Sequence, residues 1–158
     1  MGKGSVVGWG KNNDGQCDGP PDNKDIVAIA AGEDHGMALK TDGKVVVWGS
    51  NYWAQRYVPP SLADVVAIAA GRDHCLALKA DGTIVAWGSN EFGQRDLPDD
   101  LDNVVAIDAG AAHNIALLKS GLVEAWGNNE YGQCEVPTLL KNVKAISTSH
   151  QHSVALRK

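Results

Sequence analysis

Histidine stands at positions 35, 74, 113 and 152, at a constant interval of 39 residues. Four imidazoles carried to one axis by a ring of repeats would suit a single metal ion, and that is the chemistry such a pattern invites. The alternative is structural. Each His closes a turn, of the type Gly71-Arg72-Asp73-His74 at the first three, and opens an apolar run, where a ring nitrogen can satisfy turn carbonyls. The structural reading is adopted for His35, His74, His113 and His152, and no metal is expected. His150, two residues before His152, lies off the interval and adds too little for a ligand set.

Nucleophilic and phosphate chemistry find no support. The chain has no Gly-x-Ser-x-Gly, no His-Glu-x-x-His and no glycine-rich loop leading into a helix. Asp108 replaces the small residue found at Ala30 and Ala69, and Glu124 replaces Val7, Val46 and Val85. Either could be an acid near an axis, but a solvated or hydrogen-bonded irregularity is the reading preferred. Cys17 and Cys134 share a repeat position with Arg56 and Arg95, which predicts surface thiols, while Cys75 lies in an apolar run and reads as a small core residue. The sequence therefore predicts a protein that is not an enzyme and takes no cofactor.

The elements that carry these residues follow from the same interval. Trp9, Trp48, Trp87 and Trp126 are spaced by 39, as are Gly10, Gly49, Gly88 and Gly127, and Gln16, Gln55, Gln94 and Gln133. Four units fill the 158 residues, leaving no second domain. Within a unit, Val65 to Ala70 is β-branched and small and ends at Gly71; Cys75 to Lys79 is a second apolar run; Asp81-Gly82 is a hairpin signal; and Thr83 to Trp87 is a third strand. Ser89 to Asp100 reads as a loop to the next unit, and nothing has helical periodicity. A three-stranded antiparallel meander cannot bury both its faces alone and must stack on its neighbours. Radial stacking gives an all-β fold, a β-propeller of four three-stranded antiparallel blades. Alanines on the first strands (Ala28, Ala67, Ala106, Ala145) and second strands (Ala38, Ala77, Ala116, Ala155) suit a narrow centre, with the Trp rings filling the wider rim.

The unit boundaries are permuted. The chain opens with a third strand, residues 5–9, and closes with a first and a second, residues 143–148 and 153–157, so the N-terminal strand is expected to complete the C-terminal blade within a single domain spanning 1–158.

Composition narrows the partners. Fourteen Lys and Arg against nineteen Asp and Glu give a net charge of -5, which repels phosphate backbones, so no nucleic acid is expected. The longest apolar stretches, Ile26 to Ala31 and Val65 to Ala70, are far shorter than the roughly 20 residues that span a bilayer, so no membrane is expected. Three cysteines without disulfide or metal spacing, and no apolar run of secretory length near the N-terminus, predict a cytoplasmic protein.

The pattern from Val65 to Gln94, Val-Val-Ala-Ile-Ala-Ala-Gly-x-x-His-x-Leu-Ala-Leu-Lys-x-Asp-Gly-x-x-Val-x-Trp-Gly-x-Asn-x-x-Gly-Gln, resembles the regulator of chromosome condensation repeat. In compact bacterial form it is similar to the blades of β-lactamase inhibitor protein II. The resemblance implies a structural role for the repeated His and a propeller of about seven blades, each subtending roughly 51°. Four such blades cover about 205°, whereas two chains joined head to tail need about 45° per blade, so a homodimer forming an eight-bladed ring is expected, with a closed four-bladed monomer as the alternative.

The long loops and the His turns share one face of such a propeller. On it, three loops follow the regular pattern, but the second unit reads Gly49-Ser50-Asn51-Tyr52-Trp53-Ala54-Gln55-Arg56-Tyr57. Trp53 is off the interval, so the packing of the repeat does not demand it. Tyr, Trp and Arg are the residue types enriched at interface hot spots. Tyr52, Trp53, Arg56 and Tyr57 are the candidate contacts, extended by Phe92, Arg95 and Tyr131, of which Phe92 and Tyr131 have a plain alternative role as caps on their own blades. The expected function is a non-catalytic scaffold binding an unknown protein partner, with the resemblance implying an inhibitor-like mode. The competing readings are a structural or self-assembling propeller subunit, a fragment or half of a larger ring, and an enzyme or small-ligand binder using a central channel.

Overall fold

The computed structural model describes residues 4–158. Its eleven strands form sheets by sequence neighbour. The first sheet holds β1 (Ile26–Ala31), β2 (His35–Lys40) and β3 (Val45–Gly49). The second holds β4 (Val65–Ala70), β5 (His74–Lys79) and β6 (Ile84–Gly88), and the third β7 (Val104–Ala109), β8 (His113–Leu118) and β9 (Val123–Gly127). A two-stranded sheet of β10 (Val143–Thr148) and β11 (Ser153–Arg157) ends the chain. All pairings are antiparallel. No helix long and apolar enough to cross a membrane occurs among the described residues.

Local sequence explains the meander. In the Asp81-Gly82 hairpin the Gly82 φ is +84°, and the Asp81 carboxylate accepts from both Thr83 N–H (3.0 Å) and Thr83 Oγ1 (2.6 Å). That fixes the turn and so the register of β5 against β6, which pairs Cys75 with Trp87. The second strand starts one residue earlier than its apolar run, because His74 itself enters the ladder opposite Gly88. Each first strand carries a β-bulge near its start, between Ile26 and Ala28 and at the three equivalent places, which the within-repeat pattern does not announce.

The core lies between the sheets rather than within any one of them. Met37, Val47, Val65, Ala77 and Trp87 form one buried cluster joining the first two blades, and Leu76, Ile84, Val104, Ala116 and Trp126 form another joining the second and third. First strands succeed one another at the inside, β1 against β4, β4 against β7 and β7 against β10. Ala38, Ala77 and Ala116 are fully buried, and the Trp residues sit on the outermost strands, in keeping with the expected taper.

The two ends of the chain do not repeat this burial. Residues 5–9, expected as a third strand, form no ladder; their neighbour Gly4 makes an isolated antiparallel bridge to Ile26. A strand exists only when its backbone groups are paired, and here the segment runs beside the first blade with Val6 clamped at both N–H and C=O by Asn23. The outer edge of β11 is unpaired and the strand is exposed throughout. Among the described residues the chain is thus a succession of three three-stranded sheets and one two-stranded sheet, and no strand pairing joins the last sheet to the first.

Candidate functional site

The four long loops share one internal scaffold. In each, the Asn side-chain oxygen accepts the backbone N–H five residues on, as Asn51 does from Arg56 (2.9 Å), and the Gln side-chain oxygen accepts the N–H two residues back, as Gln55 does from Trp53 (2.8 Å). The same pair recurs at Asn90 and Gln94 and at Asn129 and Gln133. The Gln backbone carbonyl then receives the indole of the next blade: Trp48 Nε1 donates to Gln16, Trp87 to Gln55 and Trp126 to Gln94, at 2.7 to 3.1 Å. Three of the loops also start from the neighbouring His turn, with Ser50 N–H bound to Asp34 O, Ser89 N–H to Asp73 O and Asn128 N–H to Ala112 O. Loops and His turns therefore occupy the same face.

On that rigid frame the second loop departs in content. Tyr52 is 85% exposed and Tyr57 72%, Arg56 is exposed, and Trp53 is half-buried with its ring edge-on to Tyr52 at 5.4 Å. From Gly49 to Val58 it has no acidic residue, whereas the other three carry Asp14 and Asp18, Glu91 and Asp96, and Glu130 and Glu135. Its backbone departs too. Ala54 takes the left-handed conformation (φ 63°) that glycine holds in the other loops, and Gln55 Nε2 is buried without a partner among the described residues. Phe92 is 48% and Tyr131 64% exposed, while Arg95 folds back to donate to Gly88 O at 3.2 Å. Sequence reasoning missed the strained Ala54; the alanine in a glycine column was the signal.

The repeated His residues do something other than satisfy their own turns. Nδ1 of His35, His74 and His113 has no partner among the described residues, and Nε2 reaches the next blade: to Cys75 Sγ (3.4 Å), Asn114 Oδ1 (2.6 Å) and Ser153 Oγ (3.0 Å). Each ring lies on the glycine three residues before it, so closely that a Cβ on Gly71 would stand 2.1 Å from His74 Cε1. Burial lowers all three imidazoles, His35 to about 4, so they are neutral at pH 7. His152 differs. It is exposed, and Ser149 stands where the seating glycine would be. Among the described residues no three His, Cys, Asp or Glu side chains are placed to hold a metal.

Other expectations resolve similarly. Asp108 is a link between blades, accepting from Ala109 N–H (2.9 Å) and from Thr148 N–H on β10 (2.7 Å). Glu124 is exposed. Cys17 and Cys134 are half-buried rather than surface thiols, their Sγ atoms turned to the carbonyls of Lys11 and Asn128, and burial pushes the Cys134 thiol up to about 11. Cys75 is buried as expected, with its thiol pushed up by burial.

The family model of the regulator of chromosome condensation (RCC1) repeat matches residues 26–52, 65–94 and 104–133. A comparison with curated proteins finds none that matches. Among solved structures, the chain is similar to Prp20p from Saccharomyces cerevisiae, described with its binding properties to Gsp1p and histones (25% identity, TM-score 0.74, 84% of this chain and 43% of that one). It is also similar to yeast RCC1 (Prp20) bound to Kap60 (21%, 0.80, 96% and 49%) and to the ectodomain of the Physcomitrella patens receptor kinase CR4 (24%, 0.77, 95% and 43%). The chain spans a little under half the length of each.

Proposed function

The chain belongs to the RCC1 repeat family, and on that premise we propose that it is a non-catalytic scaffold that binds a protein partner through the loop face built by Tyr52, Trp53, Arg56 and Tyr57. The observation that carries this reading is two tyrosines, 85% and 72% exposed, on the one loop that lacks acids in a chain of net charge -5. Tyr buries large area and keeps a polar handle, and Tyr and Arg are both enriched among the residues that dominate interface energetics. The related structures support the class of activity, since Prp20p is described as binding Gsp1p and histones and Kap60 was solved bound to it. Phe92 and Tyr131 extend the surface along the arc.

Tyr52→Ala combined with Tyr57→Ala tests it, because neither exposed ring supports the core. The double variant should keep the thermal transition of the parent yet weaken capture of its partner roughly 30-fold or more, the consequence of losing about 2 kcal/mol at a hot spot. The measurement is a quantitative pull-down from the source cells with both proteins as bait. Equal recovery of the same proteins by parent and variant would place the contact elsewhere.

A further inference from the structure

The two ends of the arc expose the residue positions that the repeat buries everywhere else. Trp9 is 86% exposed, while Trp48, Trp87 and Trp126 are 8%, 5% and 7%. Val154 is 56% exposed against 0% and 1% for Leu76 and Ile115, and Leu156 is 56% against 2% and 5% for Leu78 and Leu117. At the head of the chain Ile29 is 65% exposed, whereas its equivalents Ile68 and Ile107 are partly covered by the preceding blade.

Each end also holds a cleft. At the tail, a cavity of about 410 Å³ is lined by Ile115, Ala125, Tyr131, Val136, Leu140 and Val154. At the head, one of about 480 Å³ separates Trp9 and Val7 from Ile29, Ala31, Gly36 and Trp48. The first lacks a third strand; the second lacks a first and a second.

We infer that these ends complete one another between two copies of the chain. The segment Val6–Gly10 of one copy adds as third strand to β11 of the other, and the β10–β11 pair of that copy fills the gap beside β1. This concerns the ends of the arc and is independent of the loop face. The register follows from the internal blades. Asn114 pairs with Trp126, Ala116 with Glu124 and Leu117 with Val123, so 39 residues on, Ser153 meets Trp9, Ala155 meets Val7 and Leu156 meets Val6 across the junction.

The acceptor for Trp9 is already in place. In internal blades one Gln carbonyl takes two donors, as Gln94 O takes Asn114 Nδ2 (2.7 Å) and Trp126 Nε1 (3.1 Å). Gln133 O has the first of these, Ser153 Oγ at 3.1 Å, and Trp9 Nε1 supplies the second. The turns continue as well. Glu33 N–H donates to Arg72 O, Arg72 to Ala111 and Ala111 to His150, and the next carbonyl in that series is Glu33 of the second copy.

One internal contact has no counterpart, and it is missing from both sides at once. His152 has Ser149 in place of its glycine seat, and the position it would reach in the next blade is Gly36, where Cys75, Asn114 and Ser153 stand elsewhere. The junction between copies is a strand-and-indole junction without the imidazole link. Two such junctions close eight blades at about 45° each, each copy giving its head to one junction and its tail to the other.

Light scattering should give twice the 16.7 kDa chain mass, and Trp9→Ala, which removes a side chain the isolated chain leaves in solvent, should give the single-chain mass with an unchanged circular dichroism spectrum. Val7→Cys with Ala155→Cys, in a Cys17→Ser, Cys134→Ser background, should run as a covalent two-chain species on a non-reducing gel. A single-chain mass for the parent, an intramolecular link, a ladder beyond two chains, or a two-chain mass retained by Trp9→Ala would each overturn the inference.

Discussion

Ala54 has φ 63° in a loop whose three counterparts place Gly15, Gly93 and Gly132 at that turn with φ between 74° and 77°. A Cβ in the left-handed region costs about 1–2 kcal/mol, and since Ala54 is exposed its methyl gains nothing from burial in return. Ala54→Gly should therefore raise stability by about 0.5–1 kcal/mol after the extra freedom of glycine in the unfolded chain is subtracted, seen as a melting temperature about 2 °C higher. An unchanged or lower melting temperature would show that the methyl is held by contacts not apparent in its exposure. Strain that persists marks a position where something other than stability sets the residue, and here it lies between Trp53 and Gln55. The aromatic content of this loop could be read from the sequence, because Trp53 breaks an otherwise strict interval. Its strain could be read only by noticing which column it occupies.

At the level of the strand, the interval predicted Val65–Ala70 and residues 143–148 and 153–157 to the residue, because each is a short β-branched run bounded by turn residues. It also predicted a strand at 5–9, where composition is right but the segment meets no ladder partner among the described residues; propensity cannot supply a ladder. Least legible was the role of the histidines. Their Nε2 contacts run from residue i to i+40, a step that crosses from one blade to the next, so a reading made within the repeat assigns them to their own turns.

That cross-blade placement gives a pH dependence. His35, His74 and His113 are held below the usual imidazole value by burial in the native chain. The unfolded chain therefore binds more protons than the native one as pH falls below about 6.5, and stability drops there, levelling off for His35 once the pH passes its native value of about 4. For His35 alone the loss amounts to about 3 kcal/mol across that window. Urea midpoints measured at pH 7 and pH 5 should differ accordingly, and His35→Gln should narrow the difference. A midpoint that holds steady between those two values would mean that the imidazoles titrate normally in the folded arc.

The whole molecule is governed by the fact that its cores lie between sheets. Three junctions are satisfied within the chain, and the outer faces of its first and last blades stay open, with Trp9 and Ile29 exposed on one and Val154 and Leu156 on the other. An exposed β11 edge beside apolar side chains is the kind of surface that natural sheets cover or blunt. If two copies cover it together, folding and association are a single equilibrium, and dilution must act as a denaturant. Each tenfold rise in concentration then adds about 1.4 kcal/mol to the paired state, which for two chains of this size moves the melting temperature up by about 2 °C. Differential scanning calorimetry across two decades of concentration should show that climb for the parent, and a flat, lower transition for Trp9→Ala. A parent transition independent of concentration would mean that the arc is stable with its outer faces open, its three internal junctions alone holding the fold.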